Sequence, residues 1–211
     1  FYFTELDGSH ASIYLDLGLN RIAPLKDKNY LLTVILTMND PQENGFSSNG
    51  ESEKLFKIED KIADALIEPF NAIFAGRETC DGARIFYFYA PKSNGVKKSV
   101  KDVMKAYSDY QFEVYFEEDS KWKQYFKHLY PTNYEMHTIM NRRVVENLRS
   151  KGDNLSVPRD VDNYIFFKKE DQKKKFLKEA EKMGYRLSSE RTDEKDSDYP
   201  LSVRLTKQLP V

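Results

Sequence analysis

Between Tyr30 and Glu118 the chain changes its hydrophobic period four times, and this ordering constrains the fold more than any other feature. "NYLLTVILTM" (Asn29 to Met38) is an unbroken apolar run too short to span a membrane, and it reads as a buried strand. From about Ser52 to Glu68, Leu55, Ile58, Ile62, Leu66 and Ile67 recur at helical spacing, and Pro69 closes the helix. "NAIFAGRETC" and "ARIFYFYA" then read as strands parted by Asp81-Gly82. A second helix over about Val96 to Tyr107 carries Val96, Val100, Val103 and Tyr107 on one face, and "QFEVYFEE" supplies the last strand. The order βαββαβ predicts an α+β ferredoxin-like sandwich, an antiparallel sheet with both helices on one face. "FYFTELDGSHASIYLDLG" reads as an extra N-terminal hairpin turning at Asp7-Gly8, extending that sheet or covering an edge.

The remaining pattern begins as a second round. Trp122, Tyr125, Phe126 and Leu129 suit a short amphipathic helix. Thr132 and Glu135 form a capping box for a longer one, whose expected buried stripe is Met136, Ile139, Met140, Val144 and Leu148. "NYIFF" is a strand. "KKEDQKKKFLKEAEKMG" is a Lys-rich helix expected to bury Phe176, Leu177, Ala180 and Met183. "YRLSSER" and "LSVRLTK" are strands across a polar loop. The prediction is two tandem ferredoxin-like domains, residues 1–119 and 120–211, the second short of a helix and a strand. Phe1 in place of Met fits a trimmed leader or tag.

The two halves carry opposite charge. Residues 1–119 hold 13 Lys and Arg against 20 Asp and Glu, and residues 120–211 hold 20 against 14. Such asymmetry fits a nucleic-acid or acidic-protein partner, or two domains that attract each other. Cys80 is alone, so an internal disulfide and a multi-thiolate zinc site are both excluded. With no signal peptide visible, a reducing cytoplasmic location is expected.

Motifs for chemistry are sparse. His10, His128 and His137 show no metal-ligand spacing and read as ordinary polar positions. Phosphate-binding glycine motifs and the nucleophile-elbow motif are missing, and Cys80 lacks a base near it in sequence. No cofactor, metal or catalytic residue is therefore expected. In "GARIFYFYA", Phe86 and Phe88 share a face with Arg84 beside them, while Ile85, Tyr87 and Tyr89 share the other. The glycine spacing of RNA-recognition strands fails there, so a core or interface role is expected.

Two surfaces remain. "GDNLSVPRDVDNYIFF" (Gly152 to Phe167) packs Arg159, Asp160 and Asp162 before an apolar strand. They read first as an Arg–carboxylate clamp pinning the preceding helix to the sheet. A protein-recognition patch comes second, and a hydrolase using Asp160 or Asp162 a distant third. Lys169, Lys173, Lys174, Lys175 and Lys178 form a positive helix surface, diluted by Glu170, Asp171, Glu179 and Glu181. This is a solvated face or a contact for RNA or an acidic partner.

"LDGSHASIYLDL" and "GRETCDGARIFYFYA" resemble the domain-of-unknown-function 695 family. "EDSKWKQYFKHLYP" and "LRSKGDNLSVPRDVDNYIFF" are similar to the segment that follows that domain in a two-domain architecture, where the second half resembles the regulator of ribonuclease E activity B family. Asn163 stands where that family carries a His. The first family brings no assigned activity. The second implies a non-enzymatic, protein-binding regulator whose target is a ribonuclease or its scaffold.

Overall fold

The computed structural model describes residues 1–92, 94–193 and 198–210. The chain is a mixed α+β protein that divides into two compact units, Phe1–Met140 and Asn141–Val211. No helix among the described residues is long and apolar enough to cross a membrane.

The first unit is built on a six-stranded antiparallel sheet. Its strands are β1 (Tyr2–Leu6), β2 (Ser9–Leu15), β3 (Tyr30–Thr37), β4 (Ile73–Cys80), β5 (Ala83–Ala90) and β6 (Phe112–Glu118). They lie in the order β1-β2-β4-β5-β3-β6. The hairpin extends the sheet, because β2 pairs with β4. Helices α1 (Asn49–Phe70) and α2 (Val96–Met104) cover one face. Leu32, Val34 and Leu36 of β3 and Phe86 and Phe88 of β5 point there, packed on Leu55, Ile58, Ile62 and Leu66 of α1 and on Val96 and Val100 of α2. The alternate residues Leu31, Tyr87 and Tyr89 are buried on the opposite face. β3 is thus buried on both sides, which is why its sequence is an apolar run rather than an alternation. The expected core role of "GARIFYFYA" is met on both its faces.

The ends of α1 show how local chemistry sets its length. Ser48 Oγ accepts from Glu51 N at 3.2 Å, and the Glu51 carboxylate accepts the amides of Asn39 and Asp40 at 2.7 and 2.9 Å. The cap therefore also fixes the chain leaving β3. Pro69 does not stop the helix, which runs on to Phe70 before Asn71 ends it in left-handed conformation. Proline removes the N–H that would reach the Ala65 carbonyl. The Ser99 hydroxyl of α2 donates to that carbonyl instead, at 3.2 Å. At Gly76, beside a bulge in β4, any Cβ would lie 2.4 Å from the Tyr14 carbonyl oxygen, so only glycine fits.

The second sheet is three-stranded, in the order β7 (Arg159–Phe167), β9 (Leu201–Leu209), β8 (Arg186–Thr192). Between β7 and β8 lies α4 (Glu170–Lys182), giving βαββ as expected. Part of the polar loop between the last two strands, residues 194–197, lies outside the described residues. The core is thin: Ala180, Val203 and Leu205 are buried, with Ile165, Phe167, Leu177 and Tyr185 partly buried against them. Two expected stripes are only partly used. Phe176 of α4 and Met183, its C-cap residue, are exposed, because a sheet three strands wide covers only part of that stripe. In α3 (Asn133–Ser150) only Ile139 is buried, while Met140 and Val144 are exposed. Just the N-terminal turns of α3 reach the core of the first unit.

The segment after β6 has a different form and place from the expected short α-helix of the second domain. Gln124–Leu129 is a π-helical turn, and Trp122, Tyr125 and Leu129 are buried in the first unit on the face of its sheet opposite α1 and α2.

Candidate functional site

Alternation along β7 separates the charged knot. Arg159, Val161, Asn163, Ile165 and Phe167 are half-buried on one face, and Asp160, Asp162, Tyr164 and Phe166 are exposed on the other. Arg159 does form a clamp, but with Asp153 rather than with either neighbouring aspartate. Its Nη1 and Nη2 donate to Asp153 Oδ2 and Oδ1 at 2.9 and 2.5 Å, and Nη2 also reaches the Asn154 carbonyl at 3.2 Å. The guanidinium holds the Asp153 carboxyl below its usual range. Asp153 N donates in turn to the Leu148 carbonyl in the last turns of α3 at 3.1 Å. The clamp therefore ties the end of α3 to the start of β7.

The two aspartates are engaged separately. Asp160 lies 3.4 Å from Arg186. Asp162 accepts from the Thr206 hydroxyl at 2.5 Å and lies 3.8 Å from Arg204. Such bonding orients the carboxylates across the strands and gives them no shared proton. Among the described residues, no group of three or more His, Cys, Asp or Glu side chains could hold a metal ion.

The lysines of α4 are not equivalent. Lys169 is the N-cap residue, and Lys174, Lys175 and Lys178 are exposed. Lys173 is buried beneath the helix, 2.8 Å from Glu190 and 3.0 Å from Glu170. It serves as an internal tie between α4 and β8.

A polar cluster that sequence reasoning missed lies in the first unit. Glu78 projects from β4 into the face opposite α1 and α2, between Ile13 and Ile85 in the register, and is 6% exposed. A carboxylate so placed needs partners. His128 Nε2 lies 2.5 Å from Glu78 Oε2, and the Tyr87 hydroxyl donates to the same oxygen at 3.2 Å. Nothing local in "NAIFAGRETC" marks Glu78 as inward-facing, since the buried side of that strand is set by its register with β2 and β5. Its partner lies 50 residues away, beyond any local pattern.

The segment carrying His128 is firmly seated. Trp122 stacks on Tyr89 with centroids 3.8 Å apart and planes 3° from parallel, and its indole N–H donates to the Lys28 carbonyl at 2.9 Å. Asp119 accepts from the Tyr89 hydroxyl at 2.7 Å and from the amides of Lys123 and Gln124 at 2.8 and 3.0 Å. The Tyr125 hydroxyl donates to the Asp16 carbonyl, and that of Tyr2 to the Leu129 carbonyl.

Glu78 raises the pKa of His128 through their hydrogen bond, against the opposing effect of burial. A folded pKa above the unfolded value stabilises the fold below the ordinary histidine value of about 6.5. That contribution is lost as pH rises through the raised folded value. The urea midpoint of the first unit is therefore expected to fall between about pH 6 and about pH 8. His128→Asn should remove that dependence; an unchanged pH profile in the variant would show that the pair is not its source.

Residues 1–130 match the profile of a family of unknown function, DUF695, and the chain belongs to that family. Residues 138–211 match the profile of the regulator of ribonuclease activity B family. No curated protein and no solved structure matches the chain.

Proposed function

We propose that this chain is a non-enzymatic cytoplasmic regulator that docks on a ribonuclease, or on the scaffold holding one, through its second unit. The observation that carries this reading is the match of residues 138–211 to a family named for regulating ribonuclease activity. Surface chemistry is in keeping with it. Asp160 and Asp162 are presented on a helix-free sheet face, and Lys169, Lys174, Lys175 and Lys178 on the opposite side of the same unit. Exposed charges of both signs favour oriented docking over tight apolar burial. Arg159 supports this surface indirectly, by fixing the start of β7.

We read both units as ferredoxin-like. In the first, the order β3-α1-β4-β5-α2-β6 with sheet order β4-β5-β3-β6 supports that reading, and the N-terminal hairpin extends the sheet past β4. In the second, β7-α4-β8-β9 repeats the first four elements with the equivalent order.

The test is affinity capture with the full-length chain from its own lysate, with and without nuclease treatment. One ribonuclease, retained after nuclease and at moderate salt, is the expected result, and reversal of Asp160 and Asp162 to Lys should release it. Absence of any ribonuclease, or of its scaffold, from the captured proteins would refute the reading.

A further inference from the structure

We propose that the open edge of β7 pairs antiparallel with β7 of a second copy of this chain, across a two-fold axis at Asn163, joining two three-stranded sheets into one. This goes beyond ribonuclease docking and does not depend on it.

Among the described residues β7 pairs with β9 alone, so one side of the strand presents unpaired amides and carbonyls. Nothing blunts that edge. Its register with β9 runs unbroken from Arg159 to Phe167, and the strand holds no Lys or Pro. The other edge of the sheet, β8, is interrupted by a register shift between Leu187 and Ser189. The helix leaves the β7 flank uncovered as well. Phe176 of α4 packs on Phe167 with ring centroids 5.3 Å apart yet is 40% exposed, and Met183 is 64% exposed. Asn163, Ile165, Phe176 and Met183 line a groove of about 280 Å3 along that flank.

The pattern of the strand selects a second copy. A two-fold axis normal to the sheet keeps α4 of both copies on one face and sets residues of like parity opposite each other. Centred on Asn163, it overlaps the whole of β7. Val161 then meets Ile165 of the second copy, and Asn163 meets its own equivalent, each amide offering a donor and an acceptor to exchange. Asp160 falls opposite Phe166 and Asp162 opposite Tyr164. Centring on Asp162 would set that carboxylate against itself, and centring on Val161 would set Asp160 against Asp162, both destabilising. Centring beyond Asn163 shortens the overlap. The exposed parts of Tyr164, Phe166, Phe176 and Met183 come to roughly 400 Å2 per copy, about half of the roughly 800 Å2 that each partner gives to a standard interface, before the backbone edge is counted.

The test is sedimentation velocity on the full-length chain from about 1 to about 100 μM, where a monomer–dimer equilibrium is expected. Asn163→Asp is nearly isosteric and sets two carboxylates together at the axis, so it should weaken the dimer at least about tenfold. Phe176→Glu, at an exposed position of α4, should weaken it too. In a Cys80→Ser background, Asn163→Cys should form an intermolecular disulfide under mild oxidation much faster than Phe166→Cys, because only the residue on the axis meets its own equivalent. Should Asn163→Asp fail to fold, the disulfide rates decide. A chain that stays monomeric to about 100 μM overturns the proposal, whether the edge is then bare or filled by another segment or partner. So does a dimer indifferent to both charge changes, or cross-linking no faster at position 163 than at 166.

Discussion

Trp122→Ala is expected to destabilise the first unit by about 3–5 kcal/mol, the usual range for truncating a buried large aromatic. The side chain is fully buried, lies flat on Tyr89 and satisfies the Lys28 carbonyl. Its backbone sits at φ 52, a conformation costly for any residue but glycine. Packing must offset that strain, so losing the ring leaves a cavity above Tyr89 and an unmet carbonyl, with the strain retained. Trp122→Phe should cost much less, since it keeps a stacked ring and gives up the indole hydrogen bond. Urea unfolding followed by far-UV dichroism measures both, the two units being fitted as separate transitions. A wild-type midpoint in Trp122→Ala would mean that the 119–131 segment contributes nothing to the core.

A chain ending at Asp119 is expected to lose cooperative folding and aggregate, whereas one ending at Met140 folds. Removing residues 120–140 strips Trp122, Tyr125, Leu129 and Ile139 from a face that includes Ile13, Leu15, Leu31, Tyr87 and Tyr89. It also leaves Glu78 without His128. An uncovered apolar face of that extent is an association site. Sedimentation and binding of a hydrophobic dye separate the outcomes. A monomeric, cooperatively unfolding chain of residues 1–119 would place the domain boundary where the sequence pattern puts it.

That boundary separates what is legible in the sequence from what is not. The strand and helix order from Tyr30 to Glu118 can be read because each element declares its own period. Which strands pair is a separate matter, since β3 lies between β5 and β6 and only β4 and β5 of these strands are neighbours in both chain and sheet. The spacing of Trp122, Tyr125 and Leu129 likewise declares an apolar face. Nothing local says which sheet such a face will meet, and it meets the one behind it in the chain. The stripes of α3 and α4 mislead for a related reason. An apolar stripe is an offer of burial, and Val144, Phe176 and Met183 remain exposed.

The charged knot divides for a simpler reason. Side chains alternate along a strand with a period of two, so Arg159 cannot share a face with Asp160 or Asp162 at once. The expected clamp exists, built on Asp153 six residues earlier. The same parity gathers Asp160, Asp162, Tyr164 and Phe166 on one surface, a grouping that charge alone does not suggest. Glu78 and His128 belong to the unreadable part, since each is an ordinary polar position until β4 and the π-helical turn are brought together.

The protein contains one tryptophan. Buried and stacked on Tyr89, it turns the segment over the first sheet into a natural optical probe. Emission excited at the red edge, where tyrosine is silent, will follow the seating of that segment. Ligands of the second unit can be titrated while that emission is followed. A change in tryptophan signal on adding them would reveal communication between the two halves of the chain without any label being attached.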